Sequence, residues 1–332
     1  MRVLVTGATG FIGTRLIEAL LASGMEVTGT YRGTRPERPA VTWLPLTQIE
    51  SSDAWAAPLA HVHSVVHLAA LAHRTGAAAN GASELDYARV NIEGTRALAR
   101  ACRAARPARV VFLSSISVYG RGVLQVDERT PTHPDDAYGR SKLAAEAALQ
   151  AELSGGTTDW CILRPPLLYG RGAPGNLPRL QALVARGMPL PLGAVRNRRS
   201  FMFVDNLIDA LLAVLRFSGD IRAAYVLSDG SDFATPELVR ILAAGSGRRA
   251  RLVSVPVTLL RLLGNAGDFA ARVLNLPGPF DSRTIDSLVG TLTIDSSRFR
   301  STFAWQPPLE GARAFSHSYG LPVAAAAGER MP

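Results

Sequence analysis

The sequence predicts an α/β protein built on a doubly wound parallel sheet, followed by a smaller, mixed C-terminal domain. Three observations support this fold class. The chain opens with an apolar strand, a glycine-rich turn and an amphipathic helix, and further apolar strands then alternate with helical patterns. Prolines and glycines become frequent after Arg164, which indicates a change of architecture. Alternating strands and helices need crossover connections, and these give a parallel sheet covered on both faces.

The elements follow in order along the chain. The predicted strands are residues 2–6, 27–31, 62–68, 110–114 and 224–227, and the predicted helices include residues 84–105 and 235–244. Residues 201–217 are predicted as a strand followed by a helix. The expected domains are residues 1–165 plus about 198–226 for nucleotide binding, about 166–197 plus 227–320 for substrate binding, and a tail at 321–332.

Composition and charge exclude several classes of protein. The chain has 332 residues, a net charge of +9 and two cysteines, Cys102 and Cys161, in apolar runs. Two thiols cannot form a disulfide framework, so we expect a reducing compartment, the cytoplasm. We also expect no signal peptide, because the N-terminus runs directly into a strand pattern, and no integral membrane segment. The scattered basic residues favour an anionic-ligand site over nucleic-acid binding.

One apolar segment allows two interpretations. Residues 252–276 are rich in leucine and valine and are interrupted by Pro256 and Gly264. A helix facing the core or a second subunit is favoured there over a helix lying in a membrane interface.

The strongest local motif is the glycine triplet Gly7, Gly10 and Gly13, between the first strand and the first helix. Glycines let the backbone turn tightly and approach a pyrophosphate, and the helix N-terminus supplies N–H groups and a positive dipole end. The motif therefore predicts a dinucleotide-binding, or Rossmann, unit.

The end of the second strand indicates which dinucleotide binds. An Asp or Glu there would bind the adenosine ribose and favour NAD(H). This chain has Thr30, Tyr31 and Arg32 instead, and the arginine can pair with a 2′-phosphate. NADP(H) is therefore favoured; NAD(H) stays possible if Arg32 stacks on adenine or faces solvent.

Three side chains are predicted to be catalytic: Ser115, Tyr138 and Lys142. Lys142 is the only lysine among the 36 Lys and Arg residues, and it lies four residues after Tyr138 at the start of a helical pattern. Residues four apart share a helix face, so the ammonium is expected beside the phenol, where it would lower the pKa of Tyr138. Ser115 ends a strand, at the edge of the sheet where ligands bind in open α/β folds.

These motifs together resemble the extended short-chain dehydrogenase/reductase family, of the nucleotide-sugar epimerase/dehydratase kind. The resemblance covers nearly the whole chain and includes Val65–Ala70, Val90–Thr95, Leu163–Pro166 and the closing segment Ile294–Gly311. It implies that Asn91 is a supporting polar residue and that the cofactor lies along the carboxyl edge of the sheet. The expected cofactor contacts are Gly7, Thr9, Gly10, Phe11, Ile12, Gly13, Tyr31, Arg32, Leu68, Ala69, Ala70, Asn91, Tyr138, Lys142 and Pro165.

The same resemblance implies a nucleotide-sugar substrate and a homodimer. Asn176 and Leu177 are similar to the segment that meets the diphosphate, and Arg199 is similar to the family's phosphate-binding arginine, although an ordinary surface arginine is the alternative. Ser115 and Ser117 are expected at the sugar. The helices over residues 84–105 and 138–153 are expected to form the dimer interface. No metal site is expected.

Several functions remain open at this stage. The first is NADPH-dependent reduction of a UDP-4-keto-6-deoxy-N-acetylhexosamine, with Tyr138 protonating the C4 oxygen. The second is a UDP-hexose or UDP-N-acetylhexosamine 4-epimerase with tightly bound NAD, and the third is a non-catalytic cofactor-binding scaffold. A dehydratase is set aside because Ser115 is followed by Ile116 and Ser117, not by carboxylates.

Overall fold

A computed structural model of the chain describes residues 1–72, 83–274 and 282–319. The predicted tail at 321–332 and the last two residues of the apolar 252–276 segment lie outside the described residues.

The sheet confirms the predicted fold class. Seven parallel strands lie in the order β11-β7-β5-β4-β1-β2-β3. Their bounds are β1 Arg2–Thr6, β2 Glu26–Tyr31, β3 Val41–Pro45, β4 Ser64–His67, β5 Arg109–Leu113, β7 Asp159–Arg164 and β11 Ala223–Val226. The strand order reverses beside β1, and all carboxyl ends meet at one edge, where open α/β sheets bind ligands.

Six further strands of two residues form small pairs outside this sheet. They are β6 Gln125–Val126, β8 Leu168–Tyr169, β9 Arg199–Ser200, β10 Met202–Phe203, β12 Asp232–Phe233 and β13 Thr293–Ile294. Strand β10 pairs with β8, β12 with β9 and β13 with β6.

The helices agree with the predicted pattern and add detail to it. They are α1 Phe11–Ala22, α2 Ala56–Leu59, α3 Glu84–Tyr87, α4 Gly94–Ala105, α5 Ala137–Leu153, α6 Asn176–Ala185, α7 Val204–Arg216, α8 Thr235–Gly245, α9 Val257–Leu274, α10 Ser282–Val289, α11 Ser297–Phe303 and α12 Gly311–Tyr319. The predicted helix at 84–105 is continuous but widens into a π-turn over Ala88–Glu93 between α3 and α4. Such turns are frequent at functional sites.

Apolar clusters cover both faces of the sheet, and another lies in the C-terminal part. On one face Leu16 of α1 and Leu211 of α7 pack against Val5, while on the other Leu98 of α4 and Leu149 of α5 pack against Val65. The C-terminal cluster gathers side chains of α6, α8 and α12 around Tyr169 and Phe201. The division into two domains stays a prediction, although the separate clusters accord with it. Both cysteines are free and buried.

Helix α9 has both buried residues and exposed leucines. Leu260 and Gly264 are buried and face the core or α10, as the preferred sequence interpretation expects. Leu259, Leu262 and Leu263 are exposed on the same helix. Among the described residues, no helix is both long and apolar enough to cross a bilayer.

Candidate active site

The glycine turn after β1 is packed so closely that side chains are excluded from it. A Cβ at Gly13 would lie 2.3 Å from the Gly7 carbonyl oxygen, and a Cβ at Gly7, which has φ +63°, would lie 2.8 Å from the Ala69 nitrogen. Gly10 caps α1 without a side-chain hydrogen bond, so no cap side chain occupies the N–H groups of the first turn. A tight turn with free N–H groups at a helix N-terminus fits the pyrophosphate of a dinucleotide.

The loop after β4 forms the next wall along this edge. The Thr6 hydroxyl accepts hydrogen bonds from the Leu68 and Ala69 nitrogens at 3.1 and 3.0 Å. Asn91, buried in the π-turn, accepts from the Leu71 nitrogen at 2.7 Å and donates to the Ser141 hydroxyl at 2.9 Å. Asn91 therefore ties the loop to α5, as expected of a supporting residue. Thr6 was not predicted, because its role depends on a contact with a distant loop.

The end of this edge beside β2 carries arginines and a cavity. Arg32 is exposed, and no ion pair involves it in the part of the chain that the structure describes. Tyr31 packs edge-on against Trp43 at 6.4 Å. A cavity of about 320 Å³ lies between the glycine turn and the following loop, lined by Thr9 and Arg38 among others. Arg38 is already paired with a glutamate of α1 at 2.9 Å, whereas Arg32 and Arg35 are exposed and form no ion pair with a described carboxylate.

Ser115 and Tyr138 meet at the carboxyl end of β5. The Ser115 side chain accepts from the Ser117 nitrogen at 3.1 Å, opening a short 3-10 turn, and it is hydrogen-bonded to the Tyr138 phenol. The Asp136 carboxylate caps α5 by accepting from the Gly139 nitrogen at 2.7 Å, which places Tyr138 in the first turn. A Cβ at Gly139 would lie 2.5 Å from the Ser117 oxygen, so the serine turn and α5 approach this closely only with glycine there.

Lys142 is buried one helical turn further on. Its ammonium donates to the Leu113 carbonyl oxygen at 2.6 Å and lies 4.2 Å from the centre of the Phe112 ring. Burial lowers the pKa of Lys142 to about 7, and the Glu146 carboxylate opposes this shift. An ammonium with such a pKa can exchange its proton near neutral pH.

The pKa of Tyr138 moves against the sequence-based expectation. Burial raises it to about 12, and the hydrogen bond with Ser115 only partly offsets this. The expected lowering by Lys142 does not occur, and the ammonium donates to the Leu113 carbonyl. Tyr138 is therefore a neutral phenol that can donate a proton.

A buried ion pair behind Lys142 was not predicted. Glu146, one turn after Lys142, receives hydrogen bonds from Arg164 at 3.0 and 2.5 Å and from the Ser114 hydroxyl. Arg164 also donates to the Tyr119 hydroxyl at 2.8 Å. The helical spacing from Lys142 to Glu146 was a usable signal, but the pairing with Arg164 on β7 needed the fold.

A cleft of about 620 Å³ opens beside the serine turn, lined by Ser117, Arg121, Arg199, Arg261 and Asp286 among others. Arg199 donates to the Ser287 carbonyl at 2.7 Å, and burial lowers its pKa. It has no carboxylate partner among the described residues, whereas Arg121 and Arg261 lie 3.8 and 3.7 Å from Asp286. Arg199 is thus the arginine of the cleft whose charge can still pair with an anion.

Three further residues predicted from the sequence, Pro165, Asn176 and Leu177, lie outside the lining of this cleft. The Pro165 carbonyl accepts from the Ile116 nitrogen at 3.0 Å, beside the serine turn. Asn176 begins α6 and Leu177 is buried in the C-terminal cluster, so neither is among the described residues that line the cleft. Sequence reasoning missed Arg121, Arg261 and Asp286. No group of three metal-binding side chains occurs in residues 1–72, 83–274 and 282–319.

Comparisons with known proteins agree with this geometry. Residues 3–227 match the NAD dependent epimerase/dehydratase family. A UDP-glucose 4-epimerase of Vibrio cholerae is 32% identical over 311 residues, which cover 92% of this chain and 90% of that protein. An N-acetyl-alpha-D-glucosaminyl-diphospho-ditrans,octacis-undecaprenol 4-epimerase of Escherichia coli O157:H7 is 26% identical, covering 90% of this chain and 89% of the relative.

A solved structure shows the same architecture over the whole chain. MoeE5 in complex with UDP-glucuronic acid and NAD superimposes with a TM-score of 0.73 at 25% identity, covering 98% of each chain.

Proposed function

The chain belongs to the NAD-dependent epimerase/dehydratase family, and we propose that it is an oxidoreductase acting at C4 of a nucleotide-activated sugar. The observation that carries this proposal is the hydrogen-bonded pair of Ser115 and Tyr138 at the carboxyl edge of the sheet, next to the arginine-lined cleft. The preferred reaction is the NADPH-dependent reduction of a UDP-4-keto-6-deoxy-N-acetylhexosamine. We further propose a cytoplasmic homodimer, associated through α4 and α5.

Ser115 and Tyr138 have different roles at the C4 oxygen of the substrate. A nicotinamide cofactor, when bound along the glycine turn, supplies the hydride-transfer chemistry. The Ser115 hydroxyl orients the substrate oxygen, and the Tyr138 phenol delivers the proton that the oxygen needs as the carbonyl becomes an alcohol. In the reverse direction Tyr138 would take that proton up.

Lys142 and Arg199 act at the two ends of the substrate region. The Lys142 ammonium stands behind Tyr138 and stabilises its ionised form after proton donation, once it leaves the Leu113 carbonyl. Arg199 pairs with the substrate diphosphate, because a buried guanidinium without a carboxylate partner favours an anion.

Arg32 makes the cofactor preference testable. Replacing it in an Arg32→Ser variant is expected to weaken NADPH binding by about 10- to 100-fold, the effect of losing a charged hydrogen bond, while NADH binding stays unchanged. Fluorescence titration of both cofactors measures this. Arg35→Ser is the matched control, since Arg35 is another exposed arginine of the same loop. An equal loss for NADH and NADPH, or the same loss in the control, would assign Arg32 no part in cofactor choice.

The proposed reaction is tested by mixing the protein with NADPH and a UDP-4-keto-6-deoxy-N-acetylhexosamine. We expect one NADPH to be consumed for each keto-sugar reduced, with no consumption when UDP-N-acetylglucosamine replaces it. Ultraviolet absorbance follows the cofactor, and NMR identifies the sugar.

A second function is favoured by a specific observation, the two relatives that are named 4-epimerases. The site serves epimerisation with the same side chains, because oxidation and reduction at C4 use the same proton carrier. Conversion of UDP-N-acetylglucosamine to its C4 epimer without net change in nicotinamide would establish this function and overturn the reductive one.

A further inference from the structure

The positive charge of this protein is concentrated in two segments. Residues 170–204 and 238–267 together carry eleven of the 36 basic residues and none of the 27 acidic residues. The rest of the chain holds 25 basic and 27 acidic residues and is therefore close to neutral. The net charge of +9 thus arises entirely from these two segments. They lie together in the fold, because α6 packs against α8 and residues 190–193 bond to residues 251–253.

Large apolar side chains are exposed on the same segments. Of the nine that the described residues expose, five form what we call the α9 surface: Met188, Val253, Leu259, Leu262 and Leu263. The three leucines are 47% to 64% exposed, at the spacing that places them on one face of α9. Isolated apolar side chains on a surface are ordinary, but such a concentration marks an interaction site.

Hydrogen bonds join the two parts of the α9 surface. The Leu190 nitrogen donates to the Arg251 carbonyl at 2.8 Å, and the Val253 nitrogen donates to the Leu190 carbonyl at 2.9 Å. Met188 therefore lies in the loop that runs beside Val253. The opposite face of α9 is already used, since Leu260 and Gly264 are buried. The exposed leucines are thus not needed for the core.

Arginines lie next to Met188 and Val253 in the same two segments. Arg248, Arg249 and Arg251 are exposed and precede α9, and the Arg248 guanidinium lies against Gly187, next to Met188. These three form no ion pair with any described carboxylate. Exposed leucines on a helix that follows an arginine-rich loop are typical of a helix that lies in the plane of an anionic membrane surface.

We propose that the α9 surface docks this protein on an anionic lipid bilayer. The leucines enter the boundary between head groups and acyl chains, and Arg248, Arg249 and Arg251 pair with lipid phosphates. Nucleic acid would also attract the arginines, but it offers no apolar phase for the leucines. Arg261 of the same helix lines the substrate cleft, so α9 carries both the exposed leucines and a residue of the site.

Vesicle flotation tests this proposal with the full chain. We expect the protein to float with vesicles of phosphatidylcholine and phosphatidylglycerol, and to stay behind with phosphatidylcholine alone. A Leu262→Asp/Leu263→Asp variant and an Arg248→Gln/Arg249→Gln/Arg251→Gln variant should each bind about tenfold more weakly or worse. Leu85→Asp is the control, because Leu85 is 80% exposed on α3, outside the α9 surface. Residues 84–105 belong to the expected dimer interface, so sedimentation equilibrium must show that this variant keeps the wild-type mass.

Two further measurements distinguish the lipid bilayer from two other candidate partners of the α9 surface, a second copy of the chain and nucleic acid. In the first outcome, the Leu262→Asp/Leu263→Asp variant has a lower assembly mass than the wild type in sedimentation equilibrium and still floats as the wild type does. That result would assign the surface to a second copy of the chain. Binding to duplex DNA that the arginine variant alone abolishes, together with no flotation, would assign it to nucleic acid. Either result overturns the proposal, and so does a wild-type protein that fails to float. Turnover of a nucleotide sugar in solution should match the wild type in every variant, and thermal unfolding confirms that each is folded.

Discussion

A Tyr138→Phe variant is expected to lose about 10²- to 10⁴-fold in kcat, the usual contribution of a positioned proton donor. The change removes the one phenol that is hydrogen-bonded to Ser115 at the carboxyl end of β5. The hydroxyl of Ser115 keeps its contact with Ser117, so the turn stays in place. Steady-state kinetics with the preferred cofactor measures the loss.

Tyr87→Phe is the control for this prediction. Its ring lies 6.3 Å from that of Tyr138, and its hydroxyl bonds to the Ala72 carbonyl, away from Ser115. We expect it to keep its kcat, and we expect both variants to bind cofactor as the wild type does. A Tyr138→Phe variant with undiminished kcat would show that another group carries the proton.

A Glu146→Leu variant is expected to lower the free energy of unfolding by about 3–5 kcal/mol, because it leaves the Arg164 charge buried without its partner. The two side chains are only 2% and 10% exposed, so water cannot replace the lost contact. Chemical denaturation measures the loss. A Glu146→Leu/Arg164→Leu double variant should recover much of it, since no unpaired charge remains.

Glu152→Leu is the matched control on the same helix. Glu152 pairs with Arg100 at 2.8 Å, but the arginine is 58% exposed, and pairs in water contribute about 0–1 kcal/mol. Equal losses for Glu146→Leu and Glu152→Leu would contradict the account of the buried pair.

The local motifs of this chain could be predicted from sequence because their geometry depends on few neighbours. The glycine spacing after β1 predicts a tight turn, and the interval from Tyr138 to Lys142 predicts that the two residues share a helix face. Both predictions use only residues that are close together in the sequence. The parallel sheet with helices on both faces followed from alternating strands and helices in the same way, whereas its strand order was not predicted. The structure places Ser115 and Tyr138 together as expected, although their catalytic role stays a prediction.

The features that sequence reasoning missed depend on contacts between distant segments. The Lys142 ammonium donates to the Leu113 carbonyl at the end of β5, and burial of Tyr138 in the fold raises its pKa instead of lowering it. Likewise, the ion pair of Glu146 with Arg164 joins α5 to β7. Neither contact can be read from the spacing of residues along the sequence.

Helix α9 shows a second limit of the sequence pattern. Leu259, Leu260, Leu262 and Leu263 are equally apolar, so a count of leucines cannot say which of them faces the core. Packing against α10 buries Leu260 and leaves the other three exposed. Likewise, the sequence alone does not show that the two segments without acidic residues, 170–204 and 238–267, lie side by side and so bring the positive charge together.

The central claim is that Ser115 and Tyr138 promote hydride transfer at C4 of a diphosphate-linked sugar. It is tested most directly by incubating the protein with a UDP-4-keto-6-deoxy-N-acetylhexosamine and NADPH that carries deuterium at the transferable position. We expect NMR to show deuterium bound to C4 of the product, and none when Tyr138→Phe replaces the wild type at equal concentration and time. Deuterium at another carbon, or a product that carries none, would contradict the account.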